Sequence, residues 1–191
     1  MSGGPGQGRT RHHPGTAGDS RAVNLSLREA DIAVRMNRPG AGDVLIRRVG
    51  TLGYGLYGAS DYVRRMPAAA RRYIGYDDSL QTVPQQRWLL TLAGSNGLAF
   101  RIGDLTTLQE AAAAGLGLAA LPRFIGDRDP RLERIDVDAR AAARELWLLV
   151  HPDLRGSPRV CRVLDHLAGA MHADAALLDP DSHSVRQRQS A

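Results

Sequence analysis

Residues 98–122 read LAFRIGDLTTLQEAAAAGLGLAALP, and their pattern predicts a strand, a helix and a second strand. Leu98 to Ile102 has the look of a strand. Asp104 and Thr106 both qualify as the helix cap, because a short side-chain oxygen can accept from the free amides of a first turn. Thr106 with Gln109 fits the Thr-x-x-Gln capping box, and Thr107 with Glu110 fits its Glu form. Leu108, Ala111 and Ala112 then recur on one helical face. Gly115 stops the helix, and Leu118 to Leu121 gives a short apolar strand that Pro122, lacking a backbone donor, brings to an end. Strand, helix and strand at this spacing make a parallel α/β unit.

Towards the C-terminus, residues 145–171 read ELWLLVHPDLRGSPRVCRVLDHLAGAM. Leu146 to Val150 is apolar throughout, as a strand buried in a parallel sheet would be. Ser157 and Pro158 suit the cap and first turn of a following helix, whose apolar stripe is Val160, Leu164, Leu167 and Met171. Towards the N-terminus, a helical turn in VNLSLREA leads into a strand at Asp31 to Arg35, with Ile32, Ala33 and Val34 as its buried centre. Two further strands are expected, Asp43 to Val49 and Tyr54 to Tyr57, the second bounded by Gly53 and Gly58. Ser60 is placed to cap DYVRRM, with Asp61 in its first turn and Pro67 limiting its length. YIGYDDSL, from Tyr73, opens a second segment of sheet and loop.

Composition narrows the function classes. The chain has 191 residues and 43% hydrophobic content, enough for a sizeable core. Residues 1–21 and 176–191 are polar and read as disordered tails. The first of these lacks the apolar stretch of an export signal, and no run reaches the roughly 20 apolar residues of a membrane span, so a cytoplasmic protein is expected with no membrane partner. A single cysteine, Cys161, excludes an internal disulfide and any multi-thiolate metal site. The formal charge of +5 rests on arginines scattered among acidic residues, whereas a DNA-tracking surface gathers its cations on one face.

No catalytic constellation emerges. His12, His13 and His183 lie in the tails, and His151, His166 and His172 form no metal-ligand spacing. His151, at a strand end before Pro152, reads as a local hydrogen-bonding residue. Asp77 and Asp78 point to opposite sides of an extended backbone. The glycines of GTLGYGLYG, residues 50–58, fit neither the phosphate-loop nor the dinucleotide pattern. The expectation is a non-enzyme with no metal and no cofactor.

The blocks LREADIAVRM, VLIRRVGTLGYGLYGASDYVRR, LTTLQEAAAAGLGLAALPRF and ELWLLVHPDLRGSPRVCRVLDHLAGAM, in this order, resemble the effector-binding (substrate-binding) domain of LysR-type transcriptional regulators. The resemblance implies an α/β, type 2 periplasmic-binding-protein-like fold of two lobes, with a small organic effector in the cleft between them. Residues 22–72 would form a partial first lobe, 73–140 the second, and 141–175 the return to the first. The family's DNA-binding helix-turn-helix and the opening elements of lobe one have no counterpart before Val23, so the first lobe is expected to be incomplete and self-associating, with no specific DNA binding of its own. The family's second-lobe contact falls on Gly103 and Asp104, followed by Thr106 and Thr107, where a helix start favours an anionic group. Arg35, at the end of the first expected strand, is a candidate first-lobe anion contact, with a solvated salt bridge as the alternative role. Two alternatives stay open: an independent solute-binding protein, and an inactive regulator remnant.

Overall fold

The computed structural model describes residues 31–36, 38, 45–139 and 141–179. The helical turn expected before Asp31 and the polar tail at residues 1–21 lie outside them, as do Asp43 and Val44. The fold is organised by one long strand, β2 (Leu45–Ala59). Sequence reading predicts two strands here, the second bounded by Gly53 and Gly58, which suit turns or close approach. The backbone instead runs on through both, shifting register once between Arg48 and Gly50, and the two glycines serve close approach, since a Cβ at either would crowd its neighbours.

β2 changes partners midway. From Leu45 to Gly53 it pairs antiparallel with β7 (Ala143–Val150), which pairs on its other side with β1 (Ile32–Arg35). From Tyr54 to Ala59 it pairs with β5 (Ala119–Pro122) and β6 (Leu132–Ile135). β7 is thus central and antiparallel on both sides, not part of a parallel sheet as its continuous apolar run suggests. Flanking by β1 and β2 buries Leu148, Leu149 and Val150 all the same. On β1 the inward residue is Ala33, and Val34 is 50% exposed, since alternate residues of a strand face opposite ways.

Parallel strands appear where the 98–122 pattern places them. β3 (Ile74–Tyr76) and β4 (Phe100–Ile102) pair in parallel, and Tyr73 bridges in parallel to Leu118 at the start of β5. The helix α3 (Leu105–Ala113) therefore crosses from β4 to β5 over the intervening β3. Its N-cap is Asp104, whose carboxylate accepts from the Thr107 amide at 2.9 Å, so the charged oxygen takes the role for which Thr106 also qualified. Its end is a Schellman turn: Gly115 at φ +77°, with Gly115 N–H donating to Ala112 O and Leu116 N–H to Ala111 O.

Neighbouring residues of β2 feed different cores. Leu56 packs with Tyr62 and Val63 of α1 (Ser60–Arg65) and with Trp88 and Leu89 of α2 (Pro84–Ala93). Tyr57 packs on the other side with Ile74, Leu121 and the Leu108, Ala111 and Ala112 face of α3. A third core joins Val49, Leu52, Tyr54, Leu146 and Leu148 to α5 (Pro158–Ala173), through Ala168 and the partly buried Leu164, Leu167 and Met171. Ala59, not Ser60, is the N-cap of α1, and neither it nor Ser157 of α5 makes a side-chain capping bond. Residues 176–178, expected in a polar tail, belong to the short helix α6 (Ala175–Leu178), which packs with α4 (Arg123–Gly126) and against β2; residues 180–191 of that tail lie outside the described residues.

A carboxylate clamp holds the end of α3. Arg131 donates to both Glu110 oxygens at 2.9 and 2.8 Å and to both Asp129 oxygens at 3.0 and 2.8 Å, while Gln109 adds a bond to Asp129 at 2.9 Å. These hydrogen bonds, Arg131's first, hold the Asp129 carboxyl well below the usual carboxylate range. A depressed folded-state pKa contributes stability above the unfolded value, about 3.9, and loses it as pH falls through the folded one. Asp129→Asn is therefore expected to lower the melting temperature at neutral pH and to flatten the decline in stability below about pH 4, as read by thermal melts across pH.

Candidate functional site

The change of partners on β2 brings side chains from several elements to one junction. The Tyr54 amide donates to Ala142 O at 3.0 Å, just before β7 begins, and Arg144 lies opposite Leu52 in the ladder. Arg144 Nε donates to the Met36 carbonyl at 3.3 Å, at the end of β1, and the guanidinium also hydrogen-bonds the Tyr54 hydroxyl. Tyr54 O–H in turn points at Met36 Sδ, 3.9 Å away. A thioether is a weak acceptor. A 3% exposed phenol, with a cation donating to its oxygen, is thus left with a strong donor and a poor partner.

Tyr76, at the end of β3, faces the same group. Burial, chiefly, pushes its phenol up to about 12, with Tyr54 and Asp104 acting in the same direction and Arg144 against them. Burial raises the Tyr54 phenol as well, against the pull of Arg144. Both hydroxyls stay protonated at neutral pH and act as donors, while Arg144 supplies positive charge. The arrangement suits an oxyanion such as a carboxylate, because ionised acceptors make the strong hydrogen bonds.

The five residues singled out in the sequence have different standing. Arg35 is half-buried at the end of β1, next to Met36 and opposite Trp147. Gly103 and Asp104 follow β4, where a Cβ on Gly103 would come 3.2 Å from Asp77 Oδ2. Asp104 is occupied as the α3 cap, its carboxyl lowered first by the Thr107 amide. Thr106 and Thr107 are exposed in the first turn, and the Thr107 amide is given to Asp104. Tyr54, Tyr76 and Arg144 were missed. The available signal is a tyrosine in each of GYG and IGY beside small residues, together with an arginine, next to Glu145, just ahead of the apolar run Leu146–Val150. The partner exchange that brings them together is long-range and leaves no local pattern.

α2 supplies a further feature. Gln86 is fully used: its Oε1 accepts from the Tyr76 amide at 2.9 Å and its Nε2 donates to the Tyr76 carbonyl at 3.1 Å. Gln85 Oε1 and Trp88 Nε1, equally shut off from water, make no hydrogen bond among the described residues. Each such atom costs about 1–3 kcal/mol.

A cavity of about 240 Å³ lies elsewhere, lined by Ala69 to Tyr73, Asn96, Gly97 and Ala99. It sits at the N-terminal ends of β3 and β4, opposite the strand ends at which α/β sheets place their ligands. The Arg71 guanidinium beside it is already given to the Val63 and Met66 carbonyls. Other expectations resolve into structural roles. His151 Nδ1 accepts from the Asp153 amide at 3.3 Å in the turn after β7. Asp77 caps the turn at 78–80, while Asp78 pairs with Arg101. Cys161 is exposed on α5. No helix among the described residues is long and apolar enough to cross a membrane.

Comparison with known proteins agrees with this architecture. The family model described as the LysR substrate binding domain matches residues 16–172. The Mau operon transcriptional activator of Paracoccus denitrificans is 30% identical over 148 residues, covering 76% of this chain and 50% of the activator; the chain thus spans about half the length of that curated relative. The regulatory domain of CrgA, a LysR-type transcriptional regulator from Neisseria meningitidis, superposes with a TM-score of 0.61 at 18% identity, over 78% of this chain and 79% of that one. The regulatory domain of Synechocystis CcmR, solved in complex with 2-PG, gives 0.58 at 14% identity, over 77% and 76%.

Proposed function

The chain belongs to the LysR-type regulator family, whose substrate-binding domain it carries with a periplasmic-binding-protein-like fold, and we propose that it senses a small organic carboxylate held at the β2–β7 junction. One observation carries this reading: Tyr54 O–H, polarised by Arg144, has a thioether as its acceptor. A carboxylate there would accept hydrogen bonds from the phenol and the guanidinium together, a gain that the thioether does not offer. The two lobes are residues up to 53 with 143–175, and 54–135. The switch of β2 from β7, its partner up to Gly53, to β5 and β6 from Tyr54 onward supports a division inside β2, earlier than the boundary at 72 expected from the sequence. A bound carboxylate would then touch both lobes, Tyr76 on one side, Met36 and Arg144 on the other.

The same reading assigns operator recognition to no surface of these residues. Arg47, Arg48, Arg64, Arg101, Arg123, Arg131 and Arg134 are each paired with a carboxylate on this chain. Cations committed in this way on separate elements do not make a phosphate-tracking face. The test is isothermal calorimetry of the protein against a panel of mono- and dicarboxylic acids, with the matching primary amides as controls. Saturable heat with the acids and none with the amides is the expected outcome. Equal binding of acid and amide would remove the carboxylate from the reading.

A further inference from the structure

Two glutamines open α2, and they are treated differently. Gln86 closes a two-point bond with the Tyr76 backbone. Gln85 is 4% exposed, yet its Oε1 accepts no hydrogen bond among the described residues; one turn on, Trp88 is 9% exposed and its Nε1–H donates none among them. Positions i and i+3 lie side by side on a helix, so a buried acceptor and a buried donor share one face. That face adjoins the ligand junction: Trp88 belongs to the cluster that Ala141 and Ala142 pack against, and Ala142 is the residue whose carbonyl receives the Tyr54 amide. Leucine at 85 and phenylalanine at 88 would fill the same space with no polar atom to satisfy, and native interiors leave few such atoms unpaired.

We propose that Gln85 Oε1 and Trp88 Nε1 form a second, uncharged anchor of the ligand site, specific for a hydroxyl group carried by the carboxylate ligand. A hydroxyl donates and accepts through one atom, so it satisfies Gln85 and Trp88 together. A carbonyl could answer only Trp88, and an ammonium only Gln85. Both atoms are closed to solvent, so the hydroxyl reaches them when α2 and the β2–β7 junction move apart, and its bonds then reward the ligated arrangement. The inference rests on the carboxylate reading above and adds the class of ligand, a hydroxycarboxylate.

Matched acids test it: malate with succinate, lactate with propionate, and 4-hydroxybenzoate with benzoate. Affinity is measured by calorimetry, and the two tryptophan indole N–H signals are followed by ¹⁵N–¹H correlation spectra. Trp147 serves as an internal reference, since its indole already donates to Glu145 at 3.3 Å. In at least one pair, the hydroxylated acid is expected to bind about tenfold more tightly or better than its partner, because a site built for a hydroxyl rejects the analogue without one. It is also expected to shift the Trp88 indole signal and leave Trp147 in place. Gln85→Leu and Trp88→Phe are each expected to collapse the preference towards unity. Acids that bind in an Arg144-dependent manner without moving the Trp88 signal, or a preference that survives both variants, overturn this inference and leave the carboxylate reading standing. Failure of every acid to bind in an Arg144-dependent way overturns both. The spectra of the unmodified protein decide the matter even if Trp88→Phe does not fold.

Discussion

Arg144→Ala is expected to weaken carboxylate binding by about tenfold to a hundredfold, because it removes a half-buried charged donor and hydrogen bonds to charged groups contribute about 1.5–3 kcal/mol. Arg144→Lys keeps the charge and loses the planar fork that reaches Tyr54 and Met36 at once, so it should recover only part of the affinity. Tyr54→Phe keeps the ring in its core with Val49, Leu52 and Leu146 and removes one neutral donor, a loss of about threefold to tenfold. The ordering carries the argument: arginine first, phenol second. A further consequence concerns pH. Burial raises the phenols of Tyr54 and Tyr76, so both remain donors, and carboxylate affinity should be flat from about pH 6 to about pH 9. Calorimetry over that range with the unmodified protein and the three variants reports both points. A sigmoidal fall near the ordinary histidine pKa would place the contact elsewhere.

What was readable in the sequence and what was not divide along the range of the interactions. The 98–122 unit shows locally, because cap, apolar face and stop signal of α3 act within a few residues, and of the two candidate caps the structure uses Asp104. The turn role of His151 and the division of work between Asp77 and Asp78 are likewise local. β2 was divided in two because glycine in a strand resembles glycine in a turn until the partners are known. Here Gly53 lies against Asp179 and Arg123, and Gly58 against Leu118 and Val63, contacts that a Cβ would crowd. The orientation of β7 is similarly silent, since a strand flanked on both sides is apolar whether its neighbours run parallel or antiparallel. The junction of Tyr54, Tyr76 and Arg144 depends on that unread pairing. The family resemblance led instead to the start of α3, where the structure places the amide of Thr107 on the side chain of Asp104.

Gly126→Ala is expected to destabilise the protein by about 3 kcal/mol, although alanine is the better helix former. Gly126 ends the short helix α4 at ordinary negative φ, so helix propensity alone would favour alanine by up to about 1 kcal/mol. Packing reverses the sign. A Cβ at this position would stand 2.4 Å from Tyr57 Cζ and 2.5 Å from Cε2, and the ring cannot simply swing aside. It is 1% exposed, wedged among Ile74, Leu108 and Leu121, and its hydroxyl donates to Asp127 Oδ1 at 2.6 Å while Arg123 donates to Asp127 Oδ2 at 2.9 Å. Overpacking costs about 1–3 kcal/mol, and displacing the phenol from a charged acceptor adds about 1.5–3 kcal/mol. For a chain of this size the melting temperature should fall by roughly 6–12 °C. The cause is separable by a double-mutant cycle: Tyr57→Ala removes the ring, and in that background Gly126→Ala should be neutral or mildly stabilising, its propensity gain no longer opposed. An equal loss in both backgrounds would show that the cost lies in α4 itself and not in its contact with β2. Because Tyr57 lies three residues after Tyr54 on the strand that joins the two halves of the sheet, the same substitution should also loosen ligand binding, and calorimetry on the folded variant at low temperature would detect this.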